Sequence, residues 1–162
     1  MKKARPLAQA AIIAALYTVL THLQNLMFPG SASWAIQLRM SEALCVLSFF
    51  TPAAIPGLTL GCMVFNLTSG AALPPDWIIG SAATYLAGVC MYRLWKLPVL
   101  GLCMPAVFNA VLVGLELPYY FGGGFLFNAL CVAIGELAVL HSAGALVYRA
   151  VKRRKLDVRL FG

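Results

Sequence analysis

Three glutamates, Glu42, Glu116 and Glu136, stand inside stretches that otherwise read as membrane-spanning helix, and Arg39 precedes the first of them by three residues. Ionisable side chains in a bilayer are expensive and mark ligand contacts or transport paths. A carboxylate only accepts hydrogen bonds, so three of them suit a ligand rich in N–H donors or carrying positive charge. Asn25, Asn66, Asn109 and Asn128 add amide donors and acceptors in the same runs. Glu136 is the sharpest signal: it lies near the middle of its apolar run, with no basic residue on that helix until Arg149. Each group also has a structural reading. Arg39 and Glu42 could be an ion pair at the interface, Glu116 could be solvated near the surface, and the asparagines could tie helix to helix. His22 and His141 lack the spacing of a metal site. Cys45, Cys62, Cys90, Cys103 and Cys131 are scattered singly and read as small core hydrophobes. No metal and no catalytic residue is expected.

The elements that must position these groups are apolar. The chain has 162 residues, 62% hydrophobic and 10% charged, with a mean hydropathy of +0.87. This composition fits an all-α integral membrane protein of one domain, 1–162. The net charge of +7 does not point to nucleic acid, because the basic residues bracket the apolar runs, where they meet anionic lipid. The basic N-terminus followed by an apolar run to Met27 is too long for a cleaved signal and reads as the first helix.

Six helices are expected, at about 7–27, 36–51, 54–71, 76–95, 99–120 and 125–149, followed by a basic tail, 150–162. The prolines and glycine of Pro52-Ala-Ala-Ile-Pro56-Gly57 divide the second helix from the third. Charge favours the same count. Six crossings put both termini and 11 of the 12 basic residues on the cytoplasmic side, leaving only Arg39. The second and third helices are short for a span, which suggests irregular geometry or internal packing.

In that topology Asn25, Arg39, Glu42, Asn66, Glu116, Asn128 and Glu136 fall in the outer half or near the middle, as a polar cavity open to the outside would require. Trp34, Tyr119, Tyr120, Phe121 and Phe125 could stack on a flat ring there, or could form the interfacial aromatic belt. Gly122-Gly123-Gly124 would let the last outer loop move. On the first helix, Ala10/Ala14 and Ala11/Ala15 form small-xxx-small strips that admit a close neighbour, from this chain or another protein, and Gly57/Gly61 is a second such pair. The chain has no phosphate loop, no G-x-S-x-G and no Cys/His metal motif. A binding subunit that works with partners is the reading these absences leave.

Several segments together carry a resemblance. They are Gln37-Leu-Arg39-Met-Ser41-Glu42-Ala-Leu, Phe50-Thr-Pro52-Ala-Ala-Ile-Pro56-Gly57-Leu with Gly61 and Asn66, Asn109-Ala-Val-Leu-Val-Gly114-Leu-Glu116, and Asn128-Ala-Leu-Cys-Val-Ala-Ile-Gly135-Glu136. From about residue 6 to 150 the chain resembles the queuosine-precursor S-components, the substrate-binding subunits of energy-coupling factor (ECF) importers. The resemblance implies an S-component bundle with cytoplasmic termini in a bacterial cell membrane. It implies three partner subunits, a transmembrane coupling protein and two cytoplasmic ATPases, so that ATP is used by the partners and this chain holds no cofactor. The substrate implied is a 7-deazaguanine, either the aminomethyl precursor or queuine. The expected ligand contacts are Arg39, Glu42, Asn66, Glu116, Asn128, Glu136, Asn25 and Trp34, and the implied coupling contact is Ala10 and Ala14. Competing readings are an S-component for another small vitamin, an intramembrane enzyme using Glu136 as base, and a scaffold whose ion pairs are structural.

Overall fold

The computed structural model describes residues 4–31, 36–70 and 74–156, and every regular element among them is helical. Three helical stretches are long and apolar enough to cross a membrane: Ala4–Met27, Pro98–Glu116 and Phe125–Arg153. The first is helix α1, Ala4–Met27, whose 24 residues rise about 36 Å.

The stretch expected as the second helix is a 3-10 helix, Met40–Phe49, and not an α-helix. Its neighbours explain why so few residues suffice. Gln24 Oε1 accepts the Met40 N–H at 2.7 Å at one end, and Thr51 donates to Gln9 Oε1 at 3.5 Å at the other. The stretch of α1 between Gln9 and Gln24 rises about 22 Å. From Met40 to Thr51 the chain covers the same height at about 2.0 Å per residue, where an α-helix would fall roughly 5 Å short. The three-residue repeat also stacks Glu42, Cys45 and Ser48 on one buried edge.

Pro52 ends this segment, and α2, Ala54–Thr68, begins at once with Pro56 in its first turn, where no helical N–H is lost. A 3-10 turn, Pro74–Trp77, leads into α3, Ile79–Arg93. The expected fifth helix is divided into α4 (Pro98–Gly101), α5 (Met104–Glu116) and α6 (Pro118–Phe121), each with proline in its first turn. The last stretch runs as α7 (Phe125–Val139), a π-turn (Leu140–Gly144) and α8 (Ala145–Arg153).

Helices α1 and α2 run parallel and very close. A Cβ added at Gly57 would lie 2.7 Å from the Ala10 carbonyl oxygen, and one at Gly61 would lie 2.7 Å from Tyr17 Cβ. The alanine strip and the glycine pair therefore meet each other, with Ala10 buried and Ala14 half-buried in the seam. Ala8, Ala11 and Ala15 face outward. The main apolar core joins Ile13, Tyr17, Val46, Leu58, Met91 and Leu140, among others. Tyr148 of α8 packs edge-on against Phe49 and stacks on Phe50.

Apart from Arg39, the described basic residues fall at one end. Arg5 starts α1, Arg93 and Lys96 follow α3, and Arg149 and Lys152–Lys155 close the last helix. Grooves at that end join Phe49 and Phe50 to Arg93, and Gln9 to Val151 and Leu156.

Candidate ligand-binding site

Four of the five acidic residues of the chain, Glu42, Asp76, Glu116 and Glu136, are buried together with Arg39, none of them more than 5% exposed. They arrive from four elements. The 3-10 helix brings Glu42 with Arg39 at its N-cap, the Pro74–Trp77 turn brings Asp76, α5 ends on Glu116, and α7 carries Glu136. Arg39 interacts electrostatically with Glu42 and Asp76, and its charge also reaches Glu116 and Glu136. Among the described residues Arg39 is the one buried basic side chain beside these carboxyl groups.

Glu42 is the most thoroughly held. The Tyr17 hydroxyl donates to Oε1, and the Cys45 thiol donates to Oε2 at 2.9 Å, one 3-10 turn on. The Thr21 and Ser41 hydroxyls are hydrogen-bonded at 2.6 Å beside it and tie α1 to the same segment. Arg39 places Nη1 3.9 Å from the Cys62 sulfur and its guanidinium carbon 5.9 Å from the Phe65 ring centroid. Both contacts come from α2, so the cation is fixed by packing as well as by charge.

Glu136 accepts one hydrogen bond, from Asn109 Nδ2 at 2.9 Å, and its Oε2 has no partner. Gly135, just before it, lets the backbone of Gln37 come close: a Cβ there would sit 2.4 Å from the Gln37 carbonyl oxygen. This approach sets Glu136 beside the extended segment Gln37–Arg39. Asn66 donates to the Asp76 carbonyl oxygen at 2.8 Å and leaves its own Oδ1 unmet. Both carboxylate oxygens of Glu116 lack partners, and Glu116 lines a pocket of about 540 Å³ with Pro75, Ile79, Leu115, Tyr119 and Tyr120. A second groove of about 540 Å³, along Gln24, Met27, Phe28 and Leu38, holds no ionisable side chain.

Two expected site residues make hydrogen bonds to loop backbone. Asn25 accepts the Gly30 N–H at 2.9 Å and shapes the turn after α1. Asn128 donates to the carbonyls of Gly122 (3.0 Å) and Gly124 (3.3 Å), holding the glycine loop against α7. Trp34 lies outside the described residues. Asp76 was not singled out in the sequence, where a lone acid beside a proline pair reads as loop. Tyr17 and Cys45 lie within apolar runs of the sequence, and only the fold shows that they hold Glu42. Gln37, also buried, has an unmet Nε2.

Among the described residues, unmet buried carboxyl and amide oxygens outnumber unmet nitrogens here, inside helices built for lipid. That make-up defines a membrane protein that handles a small polar solute. The chain belongs to the QueT transporter family, whose profile matches residues 7–153. It is 29% identical to the queuosine precursor transporter QueT of Lactococcus lactis subsp. cremoris (strain MG1363), over 97% of this chain and 99% of that one. No solved structure matches the chain. A transporter family leaves no place for the reading of Glu136 as the base of an intramembrane enzyme.

Proposed function

We propose that this chain captures a queuosine precursor, a 7-deazaguanine, from outside the cell as the substrate-binding subunit of an ECF-type importer. The supporting observation is the set of unmet buried acceptors, Glu136 Oε2, Asn66 Oδ1 and both Glu116 oxygens, gathered around Arg39. A deazaguanine edge presents ring N–H and exocyclic amine donors to acceptors of this kind, and its ring carbonyl complements the buried Gln37 amide. Unmet buried groups cost free energy until a ligand supplies their partners, so the site rejects bases that lack those donors, while guanine, which has them, is told apart only at position 7, where it has nitrogen in place of carbon. The relative's printed name points to the same substrate class.

In this reading the six segments cross the bilayer with both termini cytoplasmic, and the basic end faces anionic lipid. The rise of about 22 Å from Met40 to Thr51 covers most of a hydrocarbon core of about 30 Å. Energy comes from partner subunits, a coupling protein and two ATPases. The coupling contact lies on α1, through the half-buried Ala14 and the exposed strip of Ala8, Ala11 and Ala15, with Ala10 setting the α1–α2 spacing. Release follows when the partner module moves the chain.

Titration calorimetry of the purified protein with the aminomethyl deazaguanine, queuine and guanine tests the substrate. Submicromolar binding of a deazaguanine with guanine rejected is the expected result. Absence of binding to all three overturns the substrate assignment and turns attention to small vitamins.

A further inference from the structure

Glu116 is the one described carboxylate with both oxygens buried and unmet, and it lines a pocket of ligand size, about 540 Å³. The rest of that lining is apolar or aromatic, with Tyr119 and Tyr120 both exposed on the same wall. A carboxylate beside aromatic faces, with no cation of its own in contact, is the constellation that receives an organic cation. The charge balance points the same way. Among the described residues Arg39 is the one buried basic side chain beside four buried carboxyl groups, so a ligand that brings an ammonium group finds carboxyl oxygens still to be met, and a neutral one brings them no such donor. The ring-reading acceptors Glu136 and Asn66 sit on other elements, which leaves Glu116 for a substituent projecting from the ring.

We propose that the pocket of Glu116, Tyr119 and Tyr120 receives an alkylammonium group carried by the ligand, and so selects cationic 7-substituted deazaguanines over neutral ones. This inference rests on the deazaguanine reading above. The test compares 7-aminomethyl- and 7-cyano-7-deazaguanine, which differ little in size but differ in charge, by calorimetry on the full chain in detergent. Wild type binds the aminomethyl base roughly tenfold or more tightly than the cyano base, the scale of one charge-assisted hydrogen bond. Glu116→Gln erases that ratio by weakening the aminomethyl base alone, and Glu116→Asp keeps part of it. Retention of the cyano affinity in Glu116→Gln shows that the variant is folded. Equal wild-type affinity for the two bases overturns the inference while leaving the deazaguanine reading intact. A Glu116→Gln protein that keeps the full ratio, or loses both bases alike, overturns it as well. Wild type that binds neither base overturns the deazaguanine reading and this inference together.

Discussion

The half of the bundle around Met91 and Leu140 and the half around Glu116 and Glu136 are built on opposite terms. The first joins eleven buried residues into one core, sealed at the basic end by Tyr148 on Phe49 and Phe50. The second has an apolar cluster of three, Val113, Leu117 and Val132, and surrounds it with carboxyl groups whose acceptors are partly unmet. One half holds the fold, and the other gives up stability so that a solute can complete its hydrogen bonds. Tyr17 belongs to both, as a core side chain whose hydroxyl grips Glu42. Substitutions that break the two halves should therefore have different signatures.

The largest effect is expected at Arg39. Arg39→Leu removes the one buried basic side chain among the described residues and should cost about 3–5 kcal/mol, because the remaining charges are left buried and uncompensated. Thermal unfolding in detergent reads this loss, and adding Glu42→Gln should recover part of it. Melting unchanged from wild type would show that the acidic residues do not depend on Arg39. Gly61→Ala, in the dry half, comes next at about 1–3 kcal/mol, since its Cβ would meet Tyr17 Cβ at 2.7 Å and the Ala14 carbonyl oxygen at 2.8 Å. Ligand affinity of the folded fraction should stay as in wild type, and a selective loss of binding there would blur the division between the halves.

Glu136→Gln should show the reverse pattern. Its Oε2 has no partner to lose, so the melting temperature should hold or rise, while affinity for the aminomethyl deazaguanine falls roughly tenfold or more. A variant that binds as tightly as wild type removes Glu136 from the site. Tyr17→Phe, at the border, takes one donor from Glu42 and leaves the Cys45 thiol in place, so a loss of about 1 kcal/mol is expected by the same unfolding assay. A much larger loss would mean that the two halves are held together chiefly through this hydroxyl.

The sequence displayed the polar half better than the dry half. Arg39, Glu42, Glu116 and Glu136 stand out because charge in an apolar run is costly, and all four are buried. Asp76 did not stand out, since a proline-flanked acid is ordinary in a loop and only the approach of Asn66 and Arg39 reveals its burial. The division at Pro52 was visible, but the 3-10 geometry before it was not. Apart from Ser41, Glu42 and Ser48, Met40–Phe49 is apolar, and so few polar positions do not tell three residues per turn from 3.6. The alanine and glycine pairs were each visible as small-residue strips, yet their contact required knowing that α1 and α2 run parallel.

The smallest effect should come from the same kind of change that harms the seam. Gly70 lies just beyond the C-cap of the helix that carries Gly61, and a Cβ added there meets nothing within 4 Å. Gly70→Ala should therefore move stability by no more than about 0.5 kcal/mol, with any gain arising from a less flexible unfolded chain. Measured beside Gly61→Ala, it separates two causes that a single variant would confound. If both glycines cost the same, helix and backbone preference governs and the close approach of α1 is incidental. If only Gly61 is costly, the contact with Ala14 and Tyr17 is what holds α1 against α2, and so fixes the height at which Tyr17 reaches Glu42.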